Sequence, residues 1–204
     1  MDTRTAERLA AILKQSSSAS GRIAALEPGA TSLSAAQLCE VDLSNADLRK
    51  ASLNRADLSQ ARLRGARLIG AGLVRAQLCA ADLQHADLSV ANLRSSNLYQ
   101  ANLTAAILYG ADLSYANLQQ ARLHGAHLLK ACLIRADLRG ADLREADLSG
   151  ADLSGACLTG ANLAGADLQH TNLSGATMPD GTVYGSPAVT DHTVRQREVS
   201  SSGG

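Results

Sequence analysis

From Leu33 to Leu173 every fifth residue is leucine, twenty-nine in succession, and Met178 takes the next place. An α-helix repeats about every 3.6 residues and a strand about every two, so this period belongs to neither. A short period held through most of a chain marks a solenoid, in which each coil packs only on its neighbours. The other four positions are patterned too. Counting from the leucine, position −2 is alanine almost throughout, as in Ala46, Ala51, Ala56 and on to Ala166, with Thr31, Val41, Ser96 and Thr171 as departures. Position −1 is mostly polar, as in Asp47, Asp57, Asn92, Asn102 and Asp152. In an extended segment residues two apart point the same way, so −2 and the leucine face inward, −1 faces solvent, and +1 and +2 turn a corner. Glycine recurs at +2, for example Gly65, Gly110, Gly125, Gly150 and Gly165, which suits a corner that needs positive φ. A small residue beside a large one fills a narrow interior in layers, and Leu43, Leu63, Leu83, Leu103, Leu123, Leu143 and Leu163 are expected to form one such stack.

Ala-Asp-Leu-Ser-Gly, at 146–150 and again at 151–155, resembles the repeat of the pentapeptide-repeat proteins, Ala-(Asp/Asn)-Leu-X-X. The resemblance covers about residues 31–178. It implies an all-β fold, a right-handed four-sided parallel β-helix with four pentads per coil. The family often places Phe at the centre of the pentad, and this chain has none. In the implied coil, residues twenty apart stack at the spacing of neighbouring strands, about 4.8 Å. Asp42, Arg62 and Asp82 then share one column, Asp47, Arg67 and Asp87 the next, and Arg122 sits under Asp142. Opposite charges alternate in these columns, where like charges would repel. Thirty pentads correspond to about 7.5 coils and a rod roughly 36 Å long.

A stacked ladder exposes unpaired edges at both ends, which need capping. In residues 1–30 a helical cap is expected over 3–14, where Leu9, Ile12 and Leu13 share a face with Ala6 and Ala10 beside them, and Asp2 or Thr3 stands as N-cap. Ser16 to Gly21 reads as a linker, and Ile23 to Leu26 as a second short capping piece before Pro28. At the other end, Pro179 has no N–H to give a ladder and Asp180-Gly181 favours a tight turn. The Met-Pro-Asp-Gly ending resembles that of cyanobacterial members of the family. The polar segment 186–204 is expected to be disordered. It lacks the long apolar helix found in dimeric members, so a monomer is expected.

Nineteen basic and nineteen acidic side chains give a formal net charge of zero. A general nucleic-acid binder wants a basic excess, and an imitator of the nucleic-acid backbone an acidic one. No basic segment leads into an apolar one at the N-terminus, and polar residues interrupt every apolar run, so neither export nor a membrane span is expected. Cys39, Cys79, Cys132 and Cys157 have no framework or metal-like spacing, consistent with a reducing, cytoplasmic setting.

Little in the chain suggests catalysis. There is no nucleophile elbow, phosphate loop or dinucleotide fingerprint, and the repeat itself accounts for the aspartates, so no enzyme activity and no cofactor are expected. His124, His127 and Cys132 come nearest to a metal set, but a structural zinc site needs about four converging ligands. Asn102-Leu103-Thr104 and Asn172-Leu173-Ser174 match a glycosylation sequon, which this repeat produces freely.

Two surface features depart from the repeat. Ile69, Tyr109 and Leu129 occupy one +1 column, interrupted by Ser89, with Val90 and Ile107 adjoining, and an exposed apolar patch often marks a partner site. Arg55, Arg62, Arg64, Arg67 and Arg75 form a basic cluster open to an acidic or phosphate-bearing partner, although Arg62 and Arg67 are flanked by aspartates in their columns. The expected function is a non-catalytic protein–protein interaction scaffold in a bacterial, cyanobacterial-type regulatory pathway, with a protein partner rather than nucleic acid or membrane. The alternative is a DNA-mimicking inhibitor of a type II topoisomerase (gyrase), an activity the resemblance makes available. Zero net charge and the absence of loops between coils weigh against it.

Overall fold

The computed structural model describes residues 32–185. The expected cap and linker in residues 1–30 and the tail 186–204 lie outside them. Each −1 residue forms a parallel bridge with the residue twenty places on, from Ser32↔Ser52 to Cys157↔Thr177. A twenty-residue step with one bridge per pentad makes four sides. The first side carries Leu33, Leu53, Leu73 and their successors, the second Leu38, the third Leu43 and the fourth Leu48, each repeated every twenty residues. Each side contributes a single bridging residue, so its wall is a ladder of isolated bridges. The second coil is residues 51–70, the third 71–90, the fourth 91–110, the fifth 111–130, the sixth 131–150 and the seventh 151–170.

The hydrogen bonds explain the pentad. The leucine N–H donates to the −1 carbonyl of the next coil (Leu63 to Asp82, 2.7 Å), and the −1 N–H to the −2 carbonyl of the coil before (Asp82 to Ala61, 2.9 Å). The +2 N–H reaches the +1 carbonyl of the next coil (Gly65 to Gln84, 2.9 Å), and the following −2 N–H closes the corner on the leucine carbonyl (Ala66 to Leu63, 3.0 Å). This backbone pattern leaves one donor over, the +1 N–H. The −1 side chain takes it: Asp42 Oδ1 accepts from the Ser44 N–H at 3.0 Å, Asp57 from Ser59 at 3.0 Å, Asn102 from Thr104 at 3.2 Å and Asp147 from Ser149 at 3.0 Å. Asp and Asn recur at −1 because they satisfy this donor. Gly72 at −1 has no such oxygen, and there Asn54 Oδ1 of the preceding coil accepts from the Val74 N–H at 2.9 Å instead.

Every corner puts its +2 residue at positive φ, between 49° and 73°. Glycine takes this without steric cost, and other residues bear strain. Nineteen non-glycine residues nevertheless occupy corners. At Gly65 a Cβ would lie 2.6 Å from Asn45 Oδ1, so a larger residue there requires the exposed Asn45 side chain to move.

Inside, Leu43, Leu63, Leu83, Leu103, Leu123 and Leu143 are no more than 2% exposed, and the intervening alanines are buried with them. Leu163 differs from expectation. It is only partly buried, as are Ala166 and Leu168, because among the described residues no further layer lies over the third and fourth sides. Ser96, in an alanine position, buries its Oγ without a hydrogen-bond partner.

The end of the coil bears out the expected Asp180-Gly181 turn but not the part given to Pro179. Pro179 falls at +1, the position whose N–H the ladder does not use, and its carbonyl accepts from the Gly160 N–H at 2.9 Å like any other +1 residue. What ends the coil is a hairpin. Gly181 N–H bonds to the Met178 carbonyl at 2.9 Å, Met178 N–H to Thr182 at 2.7 Å, and Val183 pairs antiparallel with Thr177. Asp180 Oδ1 accepts from the Thr182 N–H at 2.9 Å and so fixes the turn. Among the described residues no helix is long and apolar enough to cross a membrane.

Candidate interaction surface

The walls are where the chain varies. Aspartates at −1 meet arginines at +1 two residues on, because both point outward from one side. Arg49, Arg139 and Arg144 clasp Asp47, Asp137 and Asp142 through Nε and Nη2, with closest contacts of 2.6, 2.6 and 2.7 Å. These guanidinium bonds hold the three carboxyls below the usual aspartate range, and the Ser44 and Ser149 hydrogen bonds do the same for Asp42 and Asp147. Burial, and then the nearby Asp57 charge, push the Cys79 thiol up. Acid–base catalysis at neutral pH asks the reverse of an aspartate, and nucleophilic catalysis the reverse of a thiol.

The charge columns stack in the expected register, with Arg62 3.6 Å from Asp42 and Arg67 3.7 Å from Asp47. Arg122 bridges Asp142 through the backbone, but the Asp142 carboxylate turns to Arg144. The three metal candidates do not converge. His124 is on the third side, where Nδ1 lies 3.0 Å from the Arg144 carbonyl; His127 is on the fourth; Cys132 is on the first, with Sγ 3.1 Å from Ser114 Oγ. Among the described residues no group of three or more His, Cys, Asp or Glu side chains is placed to hold a metal ion.

The basic cluster is divided. Arg62 and Arg64 lie on the third side and Arg67 on the fourth, while Arg55 and Arg75 stand at the corner between the first and second sides. Nearness in sequence misled here, because twenty residues carry the chain once around the rod. The corner pair is joined by Arg94, which the sequence reading passed over, and Arg94 stacks on the Tyr115 ring with its guanidinium carbon 4.7 Å from the centroid. The step of twenty-one residues between the two was the available signal.

The apolar column holds together on the fourth side, in the second to fifth coils, with its members at different depths. Ile69 and Leu129 are half-buried. Tyr109 is 44% exposed, Ile107 38% and Val90 55%. Val90 is the most unusual of the five. It is a β-branched residue at φ 49°, in the left-handed region that such residues avoid. Two more tyrosines, Tyr99 and Tyr115, are also exposed in the fourth and fifth coils. On the second side of the third to fifth coils an amide ladder runs from Asn117 to Asn97 to Gln77 at 3.0 and 3.1 Å, with Gln100 bonded to Gln120 at 2.8 Å. The middle of the rod thus gathers exposed tyrosine, valine and amide groups in place of ion pairs.

This geometry is that of a known repeat family, whose model matches residues 31–70, 71–108, 106–145 and 146–180. The chain belongs to the pentapeptide-repeat family. Its members form right-handed quadrilateral β-helices, which assigns the hand of the coil. Among solved structures the chain is similar to HetL, a pentapeptide-repeat protein involved in heterocyst differentiation regulation in the cyanobacterium Nostoc. The two are 41% identical over 76% of this chain and 80% of that one, with a TM-score of 0.52. It is also similar to Rfr23 from the cyanobacterium Cyanothece, at 41% identity over 48% of this chain and 63% of that one, with a TM-score of 0.37. QnrB1, a plasmid-mediated fluoroquinolone resistance protein, is 24% identical over 72% of this chain and 89% of that one, with a TM-score of 0.34. No curated protein matches the chain.

Proposed function

We propose that this protein is a non-catalytic scaffold that binds another protein through the fourth side of its middle coils, in a regulatory role of the kind named for HetL. Val90 carries the reading. The corner would take glycine without strain, as Gly110 and Gly150 do in the same column, yet it holds a strained valine with more than half its surface in water. Backbone strain at an exposed apolar residue is a pointer to use. Tyr109 and Ile107 extend the patch, and tyrosine is among the residues that dominate protein interfaces.

The test is affinity capture from extract of the native host with wild type and with the Val90→Gly, Tyr109→Ala variant. The variant is expected to recover about tenfold less of at least one protein, on the order of the loss of a single interface anchor, with its far-ultraviolet spectrum unchanged. Equal recovery of every captured protein would remove the fourth side from consideration. The DNA-mimic reading gains nothing from the geometry. Arg62, Arg67 and Arg122 interrupt the acidic columns, and Arg49, Arg139 and Arg144 neutralise their own aspartates. Inhibition of gyrase supercoiling at micromolar protein is not expected.

A further inference from the structure

The corner between the first and second sides carries a different chemistry. Asn54, Arg55, Val74, Arg75, Arg94 and Ser95 line an open groove of about 400 Å³. The arginines in it are unlike most others on the rod. Arg49, Arg62, Arg67, Arg139 and Arg144 each lie within 4 Å of an aspartate. Among the described residues no ion pair joins Arg55, Arg75 or Arg94 to an acid.

The columns show why. In the second to fourth coils the first side and its corner read Ser52, Asn54, Arg55, then Gly72, Val74, Arg75, then Asn92, Arg94, Ser95. No acid occurs in nine outward positions. The nearest in sequence, Asp57, belongs to the next side, where its Oδ1 accepts from the Ser59 N–H at 3.0 Å. A chain of zero net charge therefore concentrates three positive charges on one acid-free strip. All three are further constrained. Arg55 and Arg75 spring from corner residues at φ 59° and 58°, and Arg94 is held against Tyr115.

We propose that this groove binds the acidic face of an α-helix in a partner protein, with Asp or Glu at i, i+3 or i+4, and i+7. Spacing selects the helix. Arg55, Arg75 and Arg94 stand on successive coils, so they rise along the rod by about 4.8 Å and then about 9.6 Å. A helix rising about 1.5 Å per residue places carboxylates at about 4.5–6 Å and then about 10.5 Å. An extended peptide offers same-side carboxylates about 6.7 Å apart, which drifts from the arginines by the third contact. Guanidinium forks match carboxylates in two-point hydrogen bonds, and Val74 between Arg55 and Arg94 gives a helix an apolar seat. Duplex DNA fits less well, because specific and non-specific binders commonly neutralise about 6–10 phosphates and this strip has three charges. The groove lies at the opposite corner of the first side from Val90, so it does not depend on the apolar column.

Fluorescence anisotropy tests this with two labelled, helix-stabilised synthetic peptides, one with Glu at i, i+4 and i+7 and one with Gln at those places. Wild type is expected to bind the Glu peptide at least about tenfold more tightly than the Gln peptide, with affinity falling as salt rises. The Arg55→Gln, Arg75→Gln, Arg94→Gln variant is expected to lose that preference. Arg64→Gln, Arg67→Gln, Arg122→Gln removes the same charge from the third and fourth sides and is expected to keep it. These side chains point into solvent, and matching melting curves establish that both variants fold. Equal affinity for the two peptides, equal loss in both variants, or tighter binding of a DNA duplex that the first variant alone abolishes would each overturn the assignment.

Discussion

The middle coils and the sixth and seventh coils share an interior and differ in their walls. In both, the central leucines and the alanines beside them are buried, until the last turn opens at Leu163. The sixth and seventh coils follow the repeat closely. Five of their eight corners are glycine, and Arg139 and Arg144 pair with aspartates two residues away. The third to fifth coils have glycine at only two of twelve corners, namely Gly110 and Gly125, and place Val90 and Tyr115 at others. Ile107 even takes a −1 place where an aspartate would cap a backbone donor. The difference teaches that the ladder and the leucine stack carry the fold in both regions. Departures in the wall are tolerated because they cost strain or a single hydrogen bond, not a layer of core. They accumulate where the exposed tyrosines and the arginine groove lie.

The largest expected contrast is between two leucines of the same column. Leu103→Asp puts a carboxylate into a dry stack with no counter-ion, at a cost of several kcal/mol. This variant is expected to fail to fold as a soluble protein. Leu163→Asp, at the open last turn, is expected to fold with a lowered melting temperature. Circular dichroism separates them, and equally normal melting curves would refute the buried stack.

A smaller contrast tests the corners. Val90→Gly is expected to stabilise the middle by about 1 kcal/mol through relief of strain, and Gly150→Val, in the same column of the sixth coil, to destabilise by about 1–2 kcal/mol. Urea midpoints measure both. If Val90→Gly destabilises instead, its side chain contributes more to packing than its exposure indicates, and the functional argument from strain fails.

The smallest effect per residue is electrostatic. Asp137 and Asp142 titrate below the ordinary aspartate value of about 3.9 because of Arg139 and Arg144. Carboxyls lowered on folding stabilise the protein above that value, and the contribution is lost as pH falls through the lowered ones. Asp137→Asn with Asp142→Asn is therefore expected to lower stability slightly at pH 7 and to shrink the loss as pH falls below the ordinary aspartate value. An acid limb identical to wild type would show that these pairs contribute nothing measurable.

Much of this was legible in sequence because the pentad is local. Leucine and alanine at fixed offsets announced the interior, and opposite charges twenty apart, Asp42 with Arg62 and Asp47 with Arg67, supported the coil. The function of aspartate at −1 was not legible, since which N–H goes unpaired depends on the whole bonding pattern. Nor was the grouping of the arginines. Arg62, Arg64 and Arg67 looked like neighbours of Arg55 and Arg75, whereas Arg94 is the true neighbour. Leu163 carried the same signature as Leu103, and only the hairpin at 178–183 reveals that nothing covers it from the described chain.

The amino-acid order alone determined the period, the inward and outward faces and the placement of corners, because each follows from contacts within five residues or one coil. The tertiary structure alone decided which side chains share a wall and how deeply each apolar one sinks. It also decided which cations find an acid, because those relations run across coils and around the rod. Tyr115 and Arg94 are twenty-one residues apart along the chain, yet the guanidinium carbon lies 4.7 Å from the ring centroid, which is why a candidate surface had to be read from the folded coil.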